Sequence, residues 1–110
     1  MHIVVFITCK DQPEAKAVAD RLLEEKLIAC ANIVSGVQSM YWWQGKVNSD
    51  QEVLMVIKTR KSLFSKIVKT VKTVHSYTVP EIIALPIVAG NEDYLNWIND
   101  STQGRSNVKK

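Results

Sequence analysis

Residues 28–58 read IACANIVSGVQSMYWWQGKVNSDQEVLMVIK. Ile28 to Trp43 is one long extended run through Ile33, Val34, Val37 and Met40, and Gln44-Gly45 supplies a hairpin turn into a partner strand that ends near Lys58. Asn48-Ser49-Asp50 is expected to interrupt or bulge that partner. Two consecutive strands joined by a tight turn decide the fold, because of what lies on either side. Upstream, Ile3 to Ile7 is an uninterrupted β-branched run suited to a strand buried on both faces. Between it and the hairpin, Asp11 to Lys26 has helical period: Asp11 can cap it, Pro13 stands in the first turn, Glu14 completes an Asp-x-x-Glu box, and Ala15, Val18, Ala19, Leu22 and Leu23 form the apolar stripe.

Downstream, Arg60 to Val74 repeats the helical pattern, with Leu63, Phe64, Ile67, Val68, Val71 and Val74 on one side and lysines on the other. Pro80 fixes its own φ and holds Val79 extended, so the helix must stop within HSYTVPE, residues 75–81. Glu81 to Val88 follows as a strand, and Pro86 argues for the sheet edge. Gly90-Asn91 then caps a short final helix with Tyr94, Leu95, Trp97 and Ile98 as its buried side. The order β-α-β-β-α-β plus one helix is a ferredoxin-like α+β sandwich with an extended second-to-third-strand hairpin: one sheet covered on one face by two helices. Ile3–Ile7 and Val53–Ile57 belong in its central strands.

Composition agrees with one compact domain: 110 residues, 46% hydrophobic and 23% charged. The expected division is a single domain over residues 1–101 and a polar tail over 102–110. Strands of about fifteen residues reach on the order of 50 Å at about 3.3 Å per residue. A domain of this size has a radius of gyration near 13 Å. The hairpin must therefore overhang its own core, unless a bend at Ser35-Gly36 folds its tip back. Tyr41, Trp42 and Trp43 on an unsupported ribbon would be an apolar patch that monomers rarely leave in water, so they are expected at a subunit interface.

The apolar run at the amino terminus is too short for a secretory h-region and no basic segment precedes it, which predicts a cytoplasmic chain with no membrane partner. Cys9 and Cys30, 21 positions apart, fit neither a disulfide framework nor a zinc knuckle and read as free thiols. The net charge of +3 is unevenly spread: residues 1–55 hold 5 Lys/Arg against 7 Asp/Glu, residues 56–110 hold 9 against 4. The excess centres on Arg60, Lys61, Lys66, Lys69 and Lys72, either a solvated helix face or a contact for anions.

For chemistry, His75, Cys30 and Glu81 offer imidazole, thiolate and carboxylate, types that suit copper or zinc but are scattered along the chain. The competing reading makes Cys30 a small core thiol, His75 an imidazole favoured by a helix C-terminus, and Tyr77 and Glu81 corner hydrogen bonds. Met1-His2 could chelate Cu(II) through the amino terminus without any folded site. None of the hydrolase, phosphate-loop, metalloprotease or dinucleotide motifs is present, so no enzyme is expected. RNA-binding domains of this fold class carry stacking aromatics on the third strand, whereas Gln51–Lys58 carries none, so no nucleic-acid partner is expected either.

ACANIVSGVQSMYWWQGKV (29–47), EVLMVIKTR (52–60), H-x-Y-x-VPEIIALPI (75–87) and DYLNWI (93–98) together resemble the CutA family, the divalent-cation tolerance proteins. The resemblance implies a homotrimer assembled through extended hairpins, tolerance of copper and other divalent ions, and binding of Cu2+ or another divalent cation; no cofactor is expected to be needed for folding. Against the family's usual His-Pro-Tyr-Glu-Val-Pro-Glu, this chain has Ser76 and Thr78, which removes one oxygen ligand. An alternative reading is a trimeric anion or small-molecule sensor similar to PII signalling proteins, in which Lys58 or Arg60 contacts the anion.

Overall fold

The computed structural model describes residues 1–103. Four strands, β1 (His2–Cys9), β2 (Cys30–Trp43), β3 (Lys46–Arg60) and β4 (Ile82–Pro86), form an antiparallel sheet in the order β2-β3-β1-β4. Helices α1 (Gln12–Glu24), α2 (Phe64–Val74) and α3 (Glu92–Ser101) complete the ferredoxin-like α+β fold, and a short 3-10 turn, Lys61–Leu63, leads into α2. The two most continuous apolar runs are indeed central, and Pro86 ends the edge strand β4.

Alternation along β1 and β3 divides the sheet. Ile3, Val5, Ile7 and Cys9 face the helices together with Val53, Met55, Ile57 and Thr59, and all are buried against Ala15, Val18 and Leu22 of α1 and Ile67 and Val71 of α2. Asp11 opens α1 by accepting the Glu14 N–H at 2.9 Å, a cap that contributes about 1 kcal/mol. Thr59 is fully buried within this layer, and its hydroxyl donates to the Leu27 carbonyl at 2.6 Å.

The opposite face carries a different set. The register places Ile83, Phe6, Val56 and Asn32 in one row across the strands, and Leu85, Val4, Lys58 and Cys30 in the next. Among the described residues, α3 is the helix that packs on this side, near its His2–Arg60 end: His2 Nε2 lies 2.9 Å from the Asn99 side-chain oxygen, and Arg60 donates to the Thr102 hydroxyl and carbonyl, both at 2.8 Å. Thr102, which the sequence reading puts in the polar tail, is buried and belongs to the folded body. Residues 104–110 of that tail lie outside the described residues.

The hairpin corrects one expectation. Pairing runs without a break from Trp43↔Lys46 to Val37↔Glu52, so Asn48-Ser49-Asp50 stays in register. The irregularity sits on the other strand, where Val34 pairs with Leu54 and Val37 with Glu52: β2 carries one extra residue, accommodated by Gly36 at φ 78°. This bulge does not return the tip to the sheet. The molecule measures 49 × 27 × 23 Å, and Met40, Trp42 and Trp43 stand in the open. At the tip, Gln44 (φ 51°) and Gly45 (φ 78°) both take positive φ, as a type I′ turn requires. Gln44→Asn, better suited to that conformation, is expected to stabilise the chain by about 0.5 kcal/mol, read as a small rise in Tm; an unchanged or lower Tm would count against the I′ assignment.

Candidate functional site

The corner between α2 and β4 is built from the helix end outward. His75 caps α2, its N–H donating to the Val71 carbonyl at 2.9 Å, and its backbone is already extended at ψ 142°. This turns the imidazole inward, where its side chain is fully buried beneath β1. Nε2 lies 2.8 Å from the Thr8 carbonyl, which can only accept, so Nε2 carries the ring proton. Nδ1 is then the acceptor for the Tyr77 N–H at 3.1 Å. Both ring nitrogens are thereby occupied.

Glu14 supports the same corner from α1. One carboxylate oxygen accepts the Lys10 N–H at 3.0 Å and the other accepts the Ser76 N–H at 2.8 Å, so the side chain ties the start of α1 to the end of α2. The expected reciprocal bond back to Asp11 is replaced by these two. Burial pushes the Glu14 carboxyl up, but hydrogen bonds from Ser76 and Lys10, with the nearby His75 ring, outweigh it and hold the group below its usual range. Tyr77 completes the corner: its ring lies 4.7 Å from that of His75 and its hydroxyl donates to Glu52 at 2.7 Å. Burial, followed by that bond, raises the Tyr77 phenol.

Cys9 closes the inner side. Its sulfur lies 3.7 Å from the Met55 sulfur, and burial, reinforced by the Glu14 charge, pushes its thiol up to about 12. Ligand atoms of Cys9, Glu14 and His75 all fall within 4.8 Å of one another. Sequence reasoning placed Cys9 and Glu14 in other roles. The available signal was helical position: Glu14, Val18 and Leu22 share one stripe, so a carboxylate stands where the core-facing side demands a partner.

The residues proposed from sequence as metal ligands are not gathered in one chain. Cys30 pairs with Lys58 on the face opposite the helices, beside Tyr94, whose phenol is raised by burial and by the adjacent thiol. His75 lies beneath the helix-side face, and Glu81 is exposed just before β4. Within one subunit, His75 and Cys30 are therefore separated by the sheet. The cations suggested for an anion are engaged as well, Lys58 with the Asn32 side chain and Arg60 with Thr102. Tyr41 donates to Asp50 across the hairpin, while Trp42 and Trp43 remain 74% and 53% exposed. Among the described residues, no helix is long and apolar enough to cross a membrane.

The family model for the CutA1 divalent ion tolerance protein matches residues 3–101. The chain is 50% identical over 101 residues to protein CutA 1, chloroplastic, of Oryza sativa subsp. japonica, covering 92% of this chain but 57% of that protein. It is 49% identical to the divalent-cation tolerance protein CutA of Thermus thermophilus over 93% of this chain and 99% of that one. The structure of the periplasmic divalent cation tolerance protein CutA from Archaeoglobus fulgidus superimposes with a TM-score of 0.91 at 42% identity, covering 94% of this chain and 100% of that chain.

Proposed function

The chain belongs to the CutA1 divalent ion tolerance family, and from that premise we propose that it works as a non-enzymatic homotrimer that binds copper or another divalent ion and contributes to metal-ion homeostasis. The observation that carries the assembly is the uncovered sheet face. Phe6, Val56, Leu54 and Val34 lie beside Ile83 and Leu85, which are 50% and 44% exposed, and past the bulge the overhanging hairpin continues this face with Tyr41 and Trp43. So much contiguous apolar surface needs a cover, and further copies of the chain offer one of matching character. The two free thiols favour a reducing compartment such as the cytoplasm.

For the cation, Glu81 is the member of the sequence-derived set whose carboxylate stands open at the corner. Bringing subunits together on the neighbouring face would supply the further ligands that one chain lacks. Hard oxygen contacts of this kind suit divalent ions held with several waters.

Native mass spectrometry is expected to give the mass of three chains, and calorimetry with Cu(II) on a His2→Ala background about one ion per chain. Glu81→Gln in that background should weaken the binding about tenfold or more. Should His2→Ala alone abolish the heat of binding, the ion is held by the amino terminus and the metal half of the proposal fails.

A further inference from the structure

The buried side of the corner holds a donor set unlike the exposed one. Ile7 pairs with Met55 and Cys9 with Val53, so Cys9 and Met55 are diagonal neighbours on the helix-side face, both inaccessible to solvent. Two sulfurs 3.7 Å apart, an imidazole nitrogen and a carboxylate oxygen 3.9 Å from that nitrogen converge from β1, β3, α2 and α1. A tetrahedral ion with bonds of about 2.0–2.3 Å needs donor separations of roughly 3.3–3.8 Å. The sulfur pair and the nitrogen–oxygen pair are close to this, the Cys9, Glu14 and His75 donors, all within 4.8 Å of one another, must contract by up to about 1 Å to reach it, and Met55 joins them through its contact with Cys9. Thiolate and thioether select soft ions, Cu(I) above the harder divalent ones.

A buried Cys–Met contact alone would be ordinary core packing. What gives this one consequences is the hydrogen-bond accounting around it. In the present state His75 has its proton on Nε2, pointing at Thr8, and Nδ1 accepts the Tyr77 N–H. An ion on Nε2 displaces that proton, and a neutral ring then carries it on Nδ1, donor against donor with Tyr77. Occupation and the present corner therefore exclude one another.

We propose that Cys9, Met55 and His75, with Glu14 beside them, form a gated internal site for Cu(I), and that filling it releases the Ser76–Glu81 corner from the sheet. The Cys9 thiol proton leaves to solvent as the ion enters, so the net charge of the layer is unchanged; no electron is transferred. The corner is both the door and the reporter. Glu81, at its outer end, would move with it, which couples the internal site to the divalent site. That coupling rests on the divalent-ion reading above, whereas the internal site does not.

The test uses reduced, full-length protein carrying His2→Ala, titrated with Cu(I) in competition with the chromophoric chelator bicinchoninate, while amide NMR follows Ser76 and Tyr77. The expected result is one Cu(I) per chain with displaced Ser76 and Tyr77 resonances. Met55→Leu, a volume-conserving change, should weaken binding by at least the roughly 10–100-fold that loss of an outer-shell partner costs, and Cys9→Ala should weaken it further. Lys66→Gln, on the exposed side of α2, should leave Cu(I) affinity unchanged. If Met55→Leu and Cys9→Ala bind as tightly as their parent, the site is wrong. If Cu(I) binds but the Tyr77 amide stays in place, the gating is wrong. Loss of Cu(II) binding in the calorimetric experiment with Cu(I) binding intact would refute the divalent reading alone.

Discussion

Glu14→Ala is expected to lower stability by about 3 kcal/mol, because the Lys10 and Ser76 amides lose their acceptor together and each partly buried N–H left unpaired costs about 1–3 kcal/mol. In a domain of about 100 residues this corresponds to a fall in Tm on the order of 15 °C. Asp11→Ala, which removes only the helix cap, should cost about 1 kcal/mol. The contrast between neighbouring carboxylates separates the two functions: Asp11 ends a helix, whereas Glu14 joins two. Glu14→Gln keeps the shape and one acceptor but turns an amide donor towards a backbone N–H, so it should fall between them. Acid should imitate it. The native carboxyl lies below its ordinary value, so its contribution is complete above the unfolded value of about 4.3 and is lost as pH falls through the lower native value. Thermal melts at one fixed protein concentration, compared at neutral pH and in acid, decide the matter. A Glu14→Ala loss no larger than that of Asp11→Ala would remove the bridge from the account.

The fold was legible because each local signal agreed with its neighbours. Asp11 and Pro13 start a helix whose stripe is apolar, Gln44-Gly45 turns two runs of matching length, and Pro80 leaves no route for α2 to continue. The bulge was not placed correctly, since polarity at Asn48-Ser49-Asp50 reads as weakness on a strand even though an exposed ribbon tolerates it; the position that breaks register is Gly36, where positive φ is inexpensive. The site was less legible than the fold, for a topological reason. Cys30 and His75 can be named as metal-type residues from composition, but which face each occupies depends on strand parity and on the direction in which a helix cap turns. Register puts Cys30 with Lys58 on one side, and the ψ of His75 turns its ring beneath the other. Glu14 was hidden by a competing explanation, since a capping box accounts for a glutamate at that position without asking what the core stripe requires.

Ile83→Asp is expected to dissociate the assembly into single chains. Ile83 is half-exposed in the isolated subunit and stands at the β4 end of the row it shares with Phe6 and Val56, on the sheet face opposite α1 and α2. An aspartate there stays solvated in the free chain, so folding of one subunit should be little affected. In the assembly it would be desolvated against apolar neighbours with no cation in the row, at a cost of about 4 kcal/mol per copy. Each such cost is about a thousandfold in association. Three copies in a closed ring would incur it three times, which removes the trimer at micromolar concentration. Lys66→Asp makes the control: it introduces the same charge on the outer side of α2, where Lys66 is exposed, and should leave the mass at three chains. Native mass and melting temperature read together give the result its meaning. A single-chain mass with a folded circular dichroism spectrum and a lower, concentration-independent Tm assigns this face to the interface. A three-chain Ile83→Asp protein would place the contact elsewhere, on the hairpin alone, and leave the sheet face to another partner.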